Sequence, residues 1–154
     1  MAGRLRMIRG YWLVTSTNNV LAANPPSAYG VGWSIINNAN PITATTTVYP
    51  QRGLYKNVTI VLNVTSVSGT FSTGQGLTIV LNTLGQSFTI NSTPITSPTV
   101  VKIVVNQQNA YAIVGSSSVT LPCGGYLGAF NIELQVSGTS PSFTIDGRVY
   151  GEED

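Results

Sequence analysis

Hydrophobic and polar residues alternate with a period of two along most of this chain. From Leu54, the residues Leu54, Val58, Ile60, Leu62 and Val64 fall on one face. Tyr55, Asn57, Thr59, Asn63 and Thr65 fall on the other, with Val61 the exception. Successive side chains of a strand point to opposite faces, so this stretch predicts a long strand with one dry and one wet side. Tyr126, Phe130, Ile132, Leu134 and Val136 alternate in the same way against Leu127, Ala129, Asn131, Glu133 and Gln135. Phe143, Ile145 and Val149 alternate against Thr144, Asp146 and Arg148 and predict a last strand. Shorter runs lie at Tyr11–Thr15, Ile42–Tyr49, Leu77–Asn82, Gln86–Asn91, Thr99–Val105, Ala110–Val114 and Ser117–Leu121. They are rich in Thr, Val and Ile, which suit a pleated surface, and turn formers such as Ser68-Gly69, Leu84-Gly85 and Thr93-Pro94 separate them.

No segment combines helical spacing with caps over ten residues. The prediction is therefore an all-β chain of nine or ten short antiparallel strands in one domain. Such a chain folds as an antiparallel β-sandwich, and a single jelly roll of about 8–10 strands packs two sheets without exposing long edges. The expected organisation is a basic N-terminal arm at 1–10, the β-sandwich at 11–151 and an acidic tail at 152–154. Within the sandwich, 16–41 carries Asn18-Asn19, Pro25-Pro26, Asn37-Asn38 and Pro41. It is expected to be irregular apart from one short strand near Val31–Ile36. A stretch of that kind is either a partner-contacting loop or a long crossover packed on its own sheet.

Composition narrows the function more than it names one. The chain has 154 residues, with 7 Lys+Arg against 5 Asp+Glu, a formal net charge of +2. Charged residues make up 8%, against about 25% in ordinary soluble domains. Polarity comes instead from 19 Thr, 15 Ser and 13 Asn. Three of the positive charges are Arg4, Arg6 and Arg9, and three of the negative ones are Glu152, Glu153 and Asp154. So few charges suit a surface that neighbouring molecules cover.

The missing residue types exclude much chemistry. With no His, the chain lacks the commonest general base and the commonest metal ligand. Cys123 is the only Cys, which excludes an internal disulfide and any multi-thiolate cage. Glu133 and Asp146 are the only acids outside the tail, a pair of the type that glycosidases use. The plainer reading makes both solvent-facing strand residues. Gly74-Gln75-Gly76 lacks the rest of any phosphate-cradling loop. The expectation is a protein that is not an enzyme, with no cofactor, no metal and no small-molecule substrate. No cleaved signal peptide is expected, because Tyr11-Trp12-Leu13-Val14 is broken at once by Thr15-Ser16-Thr17-Asn18-Asn19.

The remaining features each allow two readings. The arginines Arg4, Arg6 and Arg9 suit phosphate or carboxylate contacts, or form a solvated tail. They could also pair head to tail with Glu152, Glu153 and Asp154 of another copy, a contact that salt would weaken. Asn57, Asn63 and Asn91 head N-glycosylation sequons, at a number that chance alone supplies. Trp12, Trp33, Tyr29, Tyr49 and Tyr55 form either an aromatic platform for sugars or core and corner packing. Cys123, in a turn, is an inert thiol or an intermolecular bridge.

The basic Met1–Gly10 arm, the period-two strands and the sparse charge together resemble the single jelly-roll capsid proteins of icosahedral viruses, particularly archaeal viruses of hot acidic habitats. That resemblance implies a structural virion subunit, assembled in host cytoplasm, that self-associates into a shell beside other capsid proteins. It implies that Arg4, Arg6 and Arg9 face genome, inner membrane or a neighbouring subunit. The alternative is a non-catalytic binding module, such as a carbohydrate-binding, adhesin, pilus or surface-layer sandwich.

Overall fold

A computed structural model describes the backbone of residues 4–7, 12–17, 20–23, 31–36, 44–50, 57–83, 85–105, 110–121 and 130–153. Side chains are described for 58–82, 85–104, 110–121, 132–148 and 150. Thirteen strands lie among these residues. They are β1 (Arg4–Met7), β2 (Trp12–Thr17), β3 (Val20–Ala23), β4 (Val31–Ile36), β5 (Ala44–Pro50), β6 (Asn57–Thr70) and β7 (Leu77–Thr83). There follow β8 (Gln86–Thr89), β9 (Thr99–Val105), β10 (Ala110–Val114), β11 (Ser117–Leu121), β12 (Phe130–Val136) and β13 (Thr139–Glu153). An eight-stranded sheet has the order β11-β10-β9-β6-β13-β4-β3, with β1 also on β13. A five-stranded sheet has the order β2-β5-β12-β7-β8. Every pairing is antiparallel, and the predicted β-sandwich is the fold observed.

The core is the dry face of the alternating strands. Val58, Ile60, Leu62 and Val64 of β6, with Val101 and Ile103 of β9 and Phe143 and Ile145 of β13, form the inner face of the larger sheet. Leu77, Ile79 and Leu81 of β7, with Ile132, Leu134 and Val136 of β12, face them from the smaller sheet. Each such Ile or Leu contributes about 1.5–3 kcal/mol by leaving water. Two of the corners where the chain crosses between sheets, β6–β7 and β12–β13, lock together. Gly76 N–H donates to Ser137 Oγ at 3.3 Å, and Ser137 N–H donates to Gly76 C=O at 3.0 Å.

Three places depart from the sequence expectation. The alternation of β6 resets at Thr65, where Val64 pairs with Ile145 but Ser66 with Thr144. This bulge lets Val67 reach the core and carries the strand on to Thr70. Beyond the end of β2, the 16–41 stretch holds two strands, β3 and β4, which pair with each other at one side of the larger sheet. Val20–Ala23 is too short to show a period of its own, so only pairing to β4 defines it. Finally, Arg4–Met7 forms a strand on the last four residues of β13, with Arg4 opposite Glu153 and Arg6 opposite Gly151. The basic start and the acidic end of a single chain are thus adjacent in the sheet. Arg9 and Asp154 lie outside the described residues, as do Leu54, Tyr55 and Tyr126–Ala129.

Candidate functional site

Residues on the wet positions of β7, β8 and β12 meet on the outer face of the five-stranded sheet. Glu133 lies between the buried Ile132 and Leu134, so strand alternation turns it outward. Register places it beside Val80 of β7 on one side and Thr47 of β5 on the other. Its carboxylate accepts from two amides. Asn82 Nδ2 donates to Oε2 at 3.0 Å, and Gln135 Nε2 donates to Oε1 at 2.9 Å. Ser87 Oγ donates to Asn82 Oδ1 at 2.6 Å and extends the chain of bonds to the β8 edge. Glu133, Gln135 and Asn82 are half-buried and Ser87 is exposed. Val80 shares this outer face yet is only 6% exposed, so the polar groups stand around an apolar floor.

This row has a defined hydrogen-bonding capacity. An ionised carboxylate offers about four lone-pair sites. Two are engaged by Asn82 and Gln135, which fix the group's orientation and leave acceptor capacity toward solvent. On β5, Thr45 is opposite Gln135 and Thr47 is opposite Glu133, with Tyr49 two residues further along. Among the described side chains, the face thus combines one oriented anion and its amide donors beside the nearly buried Val80.

The outer face of the larger sheet is different. Asp146 lies there, next to the buried Ile145, and accepts from Arg148 Nη2 at 3.1 Å and Nε at 3.3 Å. The hydrogen bond that Arg148 donates to Asp146, then the charge of that carboxylate, raise the Arg148 pKa above its already high ordinary value. Both side chains are more than a third exposed, so solvent screens the pair strongly. Glu133 and Asp146 therefore sit on opposite outer faces of the sandwich. Sheets pack about 10 Å apart, and a glycosidase pair must flank one bond at about 5–9.5 Å. The two acids do not form such a pair. Among the described residues, no group of three or more His, Cys, Asp or Glu could hold a metal ion.

The other sequence candidates are dispersed. Asn63 is half-buried on the outer face of the larger sheet, opposite Val100 and Asp146. Asn91 is 4% exposed, with its amide bonded to backbone. Asn57 pairs in register with Glu152. Trp33 lies on β4 of the larger sheet, opposite Ile145, whereas Trp12 and Tyr49 lie on β2 and β5 of the smaller one. Tyr29, Tyr55 and Cys123 are outside the described residues. Sequence reasoning noted Glu133 but missed Asn82, Ser87 and Gln135. Each occupies a wet strand position, but Asn82 and Glu133 are 51 residues apart and only sheet register joins them.

No protein-family model matches the chain, and no curated protein matches its sequence. Solved structures do match it, 29 chains in all. One is the binding domain of botulinum neurotoxin DC in complex with SialylT, with TM-score 0.53 and 11% identity over 93% of this chain. The match takes in 44% of that longer chain, less than half its length. Another is the carbohydrate recognition domain of Emp47p, with TM-score 0.53 and 9% identity over 93% of this chain and 89% of that one. At these identities the likeness is one of fold: the chain is a two-sheet, jelly-roll-like β-sandwich similar to those domains.

Proposed function

We propose that this chain is a non-catalytic carbohydrate-binding module that takes glycans on the outer face of its five-stranded sheet. The observation that carries the reading is the Glu133 carboxylate, held by Asn82 and Gln135 with acceptor capacity left toward solvent. Sugar hydroxyls donate and accept at fixed angles, so a fixed carboxylate between amides suits them, and a few placed polar groups over apolar surface make a specific site. The carbohydrate recognition domain of Emp47p, of the same fold, supports this reading over the shell subunit. The shell reading shares the sandwich itself, and that much of the expectation is met.

The test is a glycan array spanning neutral and acidic oligosaccharides, followed by calorimetric titration of the best ligand. We expect specific retention, with Glu133→Gln weakening affinity about tenfold or more, since hydrogen bonds to a charged group contribute about 1.5–3 kcal/mol. Folded protein that retains no glycan, or retains it equally well without the carboxylate, overturns the proposal.

A further inference from the structure

The eight-stranded sheet ends on β11, and no strand among the described residues pairs with its far side. Ser117, Ser118, Val119 and Thr120 are all exposed. The strand carries no charge, proline or register shift of the kind that protects free edges. One hydrogen bond shows which backbone groups face outward. Gly115 N–H donates to Val100 C=O at 2.9 Å, making these two a bonded pair at the end of the β9–β10 ladder. Bonded and non-bonded pairs alternate along an antiparallel ladder. Ile113 and Tyr111 therefore bond toward β9, while Val114, Ala112 and Ala110 bond toward Ser117, Val119 and Leu121 of β11. The N–H and C=O groups of Ser118 and Thr120 are left pointing away from the sheet.

The geometry points to β11 as the contact between two copies of this chain, whose β11 strands pair antiparallel about Val119 and join two eight-stranded sheets edge to edge. In that register Ser118 of each copy lies opposite Thr120 of the other, and each such pair exchanges both its N–H···O bonds. Val119 meets its counterpart at the non-bonded position between them, where Cα atoms approach to about 4.5 Å. Val119 is 36% exposed in the single chain, and it and Val100 are the exposed large hydrophobics among the described residues. Pairing covers Val119 and brings no charge opposite a like charge. One edge strand of the smaller sheet, β8, offers less: it is four residues long. The chain beyond it turns back onto β7, with Ile90 N–H on Ile79 C=O and Ile95 bridged to Leu77. The inference does not depend on what the Glu133 face binds.

Sedimentation velocity over a range of concentrations tests it on the intact chain, Val119→Lys and Ser118→Pro. The lysine would set like charges directly opposite across the seam. The proline removes an N–H that points outward and no bond inside the sheet. We expect a concentration-dependent dimer for the unaltered chain, and monomers with unchanged far-UV circular dichroism for both variants. An unaltered chain that stays monomeric up to its solubility limit, or a dimer that both variants keep, overturns the inference. Should either variant fail to fold, Val119→Cys and Thr120→Cys, each in a Cys123→Ser background, decide under mild copper–phenanthroline oxidation. A covalent dimer from the first and little from the second supports the seam, and equal yields overturn it.

Discussion

One amide holds the β7–β8 end of the smaller sheet. Asn91 Oδ1 accepts from Ile79 N–H at 2.7 Å, while Nδ2 donates to Leu77 C=O at 2.9 Å and Thr93 C=O at 3.0 Å. Leu77 C=O has a second donor in Ile95 N–H, but the amide supplies the acceptor for Ile79 N–H. Replacing Asn91 by Ala strands that buried donor and should lower stability by about 2–3 kcal/mol, measured by urea unfolding. Within the fold, then, Asn91 serves as a structural residue, whatever its sequon allows. Gly76 is a second such position. Its φ of +142° is a glycine conformation, and an added Cβ would meet the Ile95 carbonyl oxygen at 2.6 Å. We expect Gly76→Ala to cost about 1–3 kcal/mol in the same assay, with the backbone bonds to Ser137 disturbed.

At the scale of elements, strands with strict alternation were legible and irregular ones were not. The dry face Val58, Ile60, Leu62, Val64 and the run Ile132, Leu134, Val136 are buried as the pattern requires. The runs Thr99–Val105, Ala110–Val114 and Ser117–Leu121 are strands β9, β10 and β11. The bulge at Thr65 was not legible, because its extra residue makes Val67 look out of phase until the partner strand is known. β3 was missed for a related reason: four residues carry too little pattern to stand out among Asn and Pro. β1 reads as a basic arm in sequence, and it is a strand because β13 extends far enough to receive it. The same logic governs the candidate site, whose Glu133 was noticeable as a rare internal acid while its partners were three ordinary polar residues.

For the whole molecule, the sandwich places different charged groups on its two outer faces. Glu133 with its amides occupies one outer face, and the Asp146–Arg148 pair occupies the other. That separation removes the one catalytic pair the composition allowed. Scarce charge also shapes the response to pH. Lowering the pH from 7 to 2 can add at most five side-chain protons, so acid generates little net repulsion. Arg148 does not oppose this. Its pKa is raised in the fold by Asp146, so the guanidinium itself loses its charge only far on the alkaline side, outside this interval. We expect the far-UV spectrum to persist from pH 4 to pH 2, and its loss in that interval would refute the acid tolerance.

Sequence by itself determined the class of fold, the dry and wet faces of the long strands and the shortage of catalytic groups. These follow from local period and residue type, which are written within a few neighbouring positions. Tertiary structure alone decided which wet positions share a face, where the phase slips, and which strand ends the larger sheet unpaired among the described residues. Those properties depend on register between segments tens of residues apart. Register is set by the packing of two sheets against each other, which no single strand encodes.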